Sequence, residues 1–243
     1  MSVGPRLPQY SFDLEDSGSD QALLAVFDGA TDFGDTFSFT TRLKRESIIG
    51  QQYILNHRTT AIAQGWYVRL QAGNRIRVAI GANWTVMGFP TTTADIFATS
   101  TTRLNDTDEH EILVIFDLAN STTADRIIIY IDGVRETLVA DNIPSETITP
   151  RHINNRLRIG ADNLTAQGYD GLLYNVAASS SGNLLALSDI AESDGTAKDL
   201  KDFVGLSFHL DADAGLITSD FEGNAWGTEN GPVLSTTLLD AAV

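Results

Sequence analysis

Hydrophobic residues recur at every second position through most of the first 180 residues, and helical spacing is nearly absent. The clearest case is residues 125–140, DRIIIYIDGVRETLVA. Ile127, Ile129 and Ile131 share one face, and Arg126, Ile128 and Tyr130 share the other. Asp132-Gly133 offers the positive φ that a tight hairpin turn needs. Val134, Glu136 and Leu138 then alternate with Arg135, Thr137 and Val139, so a β-hairpin running to Ala140 is expected.

Residues 37–44 (FSFTTRLK) alternate as cleanly. Phe37, Phe39, Thr41 and Leu43 are expected to face inward, and Ser38, Thr40, Arg42 and Lys44 to face water. Residues 21–27, 53–57, 65–71, 75–80, 156–160 and 169–178 read as further strands, with a turn at Ala72-Gly73-Asn74. Residues 111–118 are apolar on both faces and belong in the middle of a sheet. Residues 81–100 read as a long loop with one short strand, and residues 207–210 and 233–239 as late strands. One short helix is expected within residues 184–203, where AKDLKDF has helical spacing.

At least ten short strands at hairpin spacing predict an all-β, antiparallel two-sheet sandwich. Three regions follow from the texture of the chain. Residues 1–20, with Pro5 and Pro8 blocking regular pairing, form an extended N-terminal arm. Residues 21–178 form the sandwich, and residues 179–243, rich in Ser, Gly and Asp, form an irregular C-terminal extension.

Composition narrows the function. The chain has 243 residues, no Cys and a net charge of −16. Disulfides and thiolate chemistry are excluded. A phosphate backbone would be repelled, so no nucleic-acid partner is expected. No apolar run is long enough to cross a membrane as a helix, so no membrane insertion is expected. The first residues lack a basic segment followed by an apolar one, so no Sec-type signal peptide is visible, and synthesis in a host cytoplasm is expected.

Candidate chemistry is sparse. Glu109 and Glu111 would share a strand face, but they open a strand beside a turn, and the expectation is a solvated strand start rather than a glycosidase pair. His57, His110, His152 and His209 stand in no hydrolase or metalloprotease motif. No catalytic residue is therefore assigned and no cofactor is required. A structural calcium ion is the one metal to consider, because hard oxygen donors in turns suit it: Asp28, Asp32, Asp162, Asn163, Asp170 and Asp220 are the candidates. Sugar recognition needs an aromatic platform beside amides. Asn83 and Trp84 are the leading candidates, with Trp66 and Tyr169 behind them. In a strand Trp66 and Tyr67 point to opposite faces, so one of the two is expected in the core.

Four pieces of the chain together resemble the laminin-G-like, concanavalin-A-like jelly-roll family. They are FDGATDF at residues 27–33, the strand opening at His110, IYIDG at residues 129–133, and Ile159-Gly160 followed by YDGLL at residues 169–173. Two departures stand out. Tyr174-Asn175 replaces the family's Asp-Glu. The acidic Gly- and Asn-rich opening that other members carry upstream resembles LDADAG at residues 210–215 and DFEGNAWG at residues 220–227 here. Residues 206–239 are therefore expected to supply an edge strand, with residues 207–210 pairing into the sheet that holds residues 23–27.

The resemblance implies a non-enzymatic jelly roll. Joined to the missing Cys and the unremarkable N-terminus, it suggests a structural or attachment protein on a virion surface: a capsid decoration or fibre protein of a tailed phage. Its partners would be other virion proteins or copies of itself in a homo-oligomer, and a host-surface glycan. The alternative is a soluble carbohydrate-binding lectin module of a prokaryote, located outside the cell.

Overall fold

The computed structural model describes residues 11–14, 22–28, 36–58, 65–80, 85–86, 96–144, 148–149, 154–161, 168–179, 184–190, 200, 203, 206–210, 227–229 and 233–235. Alternating apolar and polar positions build two antiparallel sheets, of eight strands each.

The back sheet holds β1 (Ser11–Leu14), β3 (Thr36–Arg45), β9 (Glu109–Asp117), β10 (Ile127–Ile131), β11 (Val134–Arg135), β15 (Gly171–Ser179), β16 (Leu206–Leu210) and β18 (Val233–Ser235). Its order is β11-β10-β9-β3-β15-β1-β18, with β16 also paired to β15. The front sheet holds β2 (Ala22–Asp28), β4 (Gln52–Arg58), β5 (Gly65–Leu70), β6 (Ile76–Ile80), β8 (Ile96–Ser100), β12 (Leu138–Asn142), β14 (Asn154–Ile159) and β17 (Gly227–Glu229). Its order is β12-β8-β6-β5-β4-β14-β2-β17. A separate ribbon pairs β7 (Thr85–Val86) with β13 (Ile148–Thr149), so the stretch read as a loop with one strand contains β7 as well as β8.

Between the sheets lies one core. Phe37 stacks on Phe116 at 4.4 Å, and Trp66 packs against Phe37 at 4.9 Å. Ile127, Ile129 and Ile131 of the expected hairpin all point into this core. Its turn is formed by Asp132 at φ 51° and Gly133 at φ 75°, both left-handed as the tight turn requires. The return arm differs from expectation. Only Val134 and Arg135 pair with β10, and the chain then crosses to the front sheet as β12.

Three further differences have physical causes. Ser38, Thr40 and Arg42, expected to face water, are buried. For Ser38 and Thr40 the cause is a second core, in which Leu185, Ile190 and Leu200 cover Leu113 and Ala177 on the outer side of the back sheet, whereas Arg42 is engaged by Glu109 and Glu111. A four-residue helix, α1 (Leu187–Ile190), belongs to this cover. Leu185 N–H donates to Ser38 Oγ at 2.8 Å, and Ser38 Oγ meets Ser179 Oγ at 2.6 Å, so the buried hydroxyls are satisfied. This cover is also why β9 is apolar on both faces. Second, part of the expected arm, Ser11–Leu14, is a paired strand wedged between β15 and β18. Third, residues 207–210 do not join the sheet carrying β2. They pair with β15 in the back sheet, while β17 takes the edge beside β2.

The departure at Tyr174-Asn175 coincides with a β-bulge. Register slips between Tyr174 and Ala177 against β3, and Asn175 sits at φ 50°, a conformation asparagine tolerates better than most residues. At the start of the same strand, Gly171 has φ 143°, and a Cβ there would collide with the Lys44 carbonyl oxygen.

Candidate functional site

Two places gather charged and polar side chains: one end of the back sheet, and the outer face of the front sheet. At the back-sheet end, His110 is clasped by two carboxylates. Nδ1 donates to Asp132 Oδ2 at 2.7 Å and Nε2 to Asp106 Oδ1 at 2.8 Å. The Asp132 bond, then the Asp106 bond, push the imidazole up to about 9, so it carries its charge at neutral pH. Asp106 is held below the usual carboxylate range by the His110 bond. Asp132 is also held low: burial pushes it up, but bonds from His110 and the Glu111 N–H outweigh that. Arg42 bridges Glu109 at 2.9 Å and Glu111 at 3.8 Å, and burial still lifts Glu111 to about 7. Glu109 and Glu111 do share a face, and Arg42 occupies it. The cluster closes on itself as a structural clasp.

The front sheet's outer face is different. Strand periodicity sends Trp66, Val68 and Leu70 of β5 inward and Tyr67 and Arg69 outward. Cross-strand register aligns two rows. One runs Tyr53, Arg69, Arg77, Thr99, and the next runs Arg158, Asn56, Tyr67, Ala79, Phe97. Arg69 lies over both tyrosines, with its guanidinium carbon 5.4 Å from the Tyr53 ring and 4.9 Å from the Tyr67 ring. Its Nη1 donates to Tyr53 Oη at 2.9 Å and to Gln51 Oε1 at 3.2 Å. Arg77 lies over Phe97 at 3.7 Å. Each contact is a cation on a ring face, worth about 0.5–1 kcal/mol where water still reaches it.

Arg69 and Arg77 are direct cross-strand partners. Like charges in that position destabilise a sheet pair. Among the described residues neither forms an ion pair, and the Nε–H groups of Arg69, Arg75 and Arg77 meet no acceptor. The electrostatic setting sharpens this. The chain carries 32 Asp and Glu, yet not one of them falls between residues 47 and 94. An arginine face is thus set into an acidic protein. That gap in carboxylates, together with Arg69 in β5 and Arg75 and Arg77 at alternate positions leading into β6, was the sequence signal for the site. A reading that looked for exposed Trp passed over it.

The expected sugar contacts fall elsewhere. Trp66 is only 5% exposed and belongs to the inter-sheet aromatic cluster, so it presents no ring to solvent. Tyr67 is buried as well, at 1%, because Arg69 covers the outer face where it lies. Tyr169 is buried beside Arg45, whose Nε and Nη1 donate to Gln52 Oε1 and the Leu104 carbonyl; burial raises the Tyr169 hydroxyl well above its usual range. Asn83 and Trp84 lie outside the described residues. Of the calcium candidates, Asp32, Asp162, Asn163 and Asp220 also lie outside them, as does the side chain of Asp28 at the end of β2. Asp170 is half-buried, and its carbonyl accepts from Glu46 N–H at 3.0 Å. Among the described residues no group of three or more acidic or imidazole side chains is arranged to hold a metal.

By architecture the chain is an all-β, antiparallel two-sheet jelly-roll sandwich, the fold of the pentraxins. No family model and no curated protein sequence matches it. Solved structures do. A carbohydrate-binding candidate from Bacteroides ovatus ATCC 8483 superposes with a TM-score of 0.59 at 13% identity, over 98% of this chain and 62% of that one. The native heptameric SAP-like pentraxin from Limulus polyphemus gives 0.53 at 8% identity, over 96% of each chain. Domains LG4-5 of the mouse laminin α1 chain give 0.48 at 14% identity, over 71% of this chain and 41% of that one. The chain therefore spans about 62% of the length of the Bacteroides protein. At such identities the likeness is one of fold.

Proposed function

We propose that this chain is a non-catalytic glycan-recognition module that binds through the outer face of its front sheet. The observation that carries the reading is that face: arginines held over aromatic rings, without an ion-pair partner among the described residues, on the broad side of a jelly roll. Its likeness to a carbohydrate-binding candidate supports the same reading. The virion-surface role expected from sequence finds no support in the structural likenesses, and the carbohydrate-binding alternative replaces it. Against a hydrolytic role stands the engagement of the nearest acid pair: Arg42 bridges both Glu109 and Glu111. The pentraxin likeness is to a heptamer, and self-association of this chain would raise weak single-site affinities through multivalency.

A glycan array probed with the full-length protein tests the reading, run with and without millimolar calcium so that the proposed calcium ligands are tested together with it. Retention of a defined glycan class at micromolar concentration is expected, with no release of reducing sugar from the retained material. If no glycan is retained even at millimolar protein, the reading fails. If reducing sugar is released, it is an enzyme instead.

A further inference from the structure

The face described above does not suit every sugar. Neutral sugars dock on bare aromatic rings, yet Tyr53 and Tyr67 are 5% and 1% exposed, with the Arg69 guanidinium between them and the ligand. What the face turns outward is a set of planar cations. We propose that the outer face of the front sheet binds an anionic glycan, bearing carboxylate or sulfate, through Arg69, Arg75 and Arg77. This inference rests on the glycan-recognition reading and names its ligand class.

Three observations converge on that chemistry. A guanidinium presents donors in a fixed fork that matches a carboxylate or sulfate two bonds at a time. Here the Nε–H of all three arginines is covered and meets no acceptor among the described residues. A ligand would therefore be met by the outer Nη groups of these half-exposed side chains, none of which forms an ion pair among the described residues. Arg69 is also held in place by its two rings and by Gln51 and Tyr53, so little side-chain freedom remains to be lost on binding. Finally, Arg69 faces Arg77 directly across the strand pair, a repulsion that a bound anion would relieve.

Spacing favours one extended chain of sugars. Arg75 and Arg77 are two residues apart along the sheet, roughly 7 Å, and the four strands β4, β5, β6 and β8 span roughly 14 Å. A single glycan chain fits on that platform. A nucleic acid is a poorer match. A duplex is wider than a single glycan chain and would reach past the carboxylate-free patch into a protein of net charge −16.

Calorimetric titration of the full-length protein with polygalacturonate, heparin, neutral dextran and a single-stranded oligonucleotide tests this. Polygalacturonate carries carboxylate alone and heparin carries sulfate as well, so the two arms separate the sources of the charge. Binding of at least one of them is expected, weakening steeply with added salt. Arg77→Gln and Arg75→Gln should each weaken it about tenfold or more, with urea midpoints close to wild type. Arg77→Lys should recover part of the loss, since it keeps the charge but not the fork.

Binding of dextran alone, indifferent to these substitutions, would overturn the anionic ligand while leaving glycan recognition standing. Anionic binding that Arg75→Gln and Arg77→Gln leave unchanged would overturn the site. Tighter binding of the oligonucleotide would overturn the ligand class. Salt-sensitive self-association that is lost in Arg77→Gln and is not displaced by heparin would assign the face to a second copy of the chain.

Discussion

The two sheets of this protein have the same strand chemistry and opposite outer faces. On the back sheet, Leu185, Ile190 and Leu200 fold over Leu113 and Ala177 and bury even serine and threonine. On the front sheet, arginines lie along Tyr53, Tyr67 and Phe97 and stay half-exposed. Both solutions hide apolar surface. Only the second leaves hydrogen-bonding capacity for a partner. A sheet face covered by its own chain gains stability and loses the chance to bind, whereas one covered by long cationic side chains keeps that chance at modest cost in cross-strand repulsion.

The comparison breaks most severely if the cover is removed. Deleting residues 180–243 takes away Leu185, Ile190 and Leu200 together with β16, β17 and β18. The truncated chain should lose its cooperative urea transition and its near-ultraviolet circular dichroism. A monomeric truncation that still unfolds cooperatively would mean the second core is ornamental. Single truncations come next. Leu185→Ala and Leu200→Ala should each lower the unfolding free energy by about 2–4 kcal/mol, measured in urea, because each opens a cavity against a sheet that cannot collapse onto it.

The clasp at the back-sheet end gives a smaller effect that depends on pH. His110 is raised to about 9 from 6.5, so its contribution is complete below pH 6.5 and lost as pH rises through 9. Glu111, raised to about 7 from 4.5, acts in the same direction, losing its contribution from 4.5 upward. Asp106 and Asp132 are lowered and act oppositely, losing their contribution as pH falls below 3.8. Stability should therefore decline from pH 4.5, through Glu111, and on to about 9, through His110. The His110 share is about 1 kcal/mol once the half-exposed partners are discounted for screening. His110→Gln should flatten that share of the slope in thermal melts across the range; a slope unchanged by the substitution would refute the clasp.

The smallest effect is expected on the front face. Arg77→Met loses the stacking on Phe97 but relieves the repulsion from Arg69, and the two terms are each below about 1 kcal/mol. Its unfolding free energy, measured in urea, should stay within about 0.5 kcal/mol of wild type. A loss above about 2 kcal/mol would make Arg77 a structural lid, and the contrast between the two faces would disappear.

Much of the fold was legible in the residues. Ile127, Ile129 and Ile131 announce their shared face, Asp132-Gly133 its turn, and the double-sided hydrophobicity of residues 111–118 a position inside a sheet. The site was half legible. Arg69, Arg75 and Arg77 sit at alternating positions in a stretch without carboxylates, but nothing local says that β4, β5, β6 and β8 lie side by side with their arginines and rings in register. Trp66 was misjudged for a related reason. A strand with aromatic residues on both faces gives no local cue to which face meets the other sheet.

Period-two alternation along the chain determined the strands, most turns and the sandwich class, because side chains in a strand must point to alternate faces whatever the strand pairs with. Tertiary structure alone decided that Ser38 and Thr40 would be buried under Leu185, that β12 would cross to the other sheet after two paired residues, and that the C-terminal strands would divide between the two edges. Those outcomes depend on contacts between residues distant in the chain, from Leu138 with Ser100 to Ser38 with Ser179, and no local pattern encodes which distant surface will arrive.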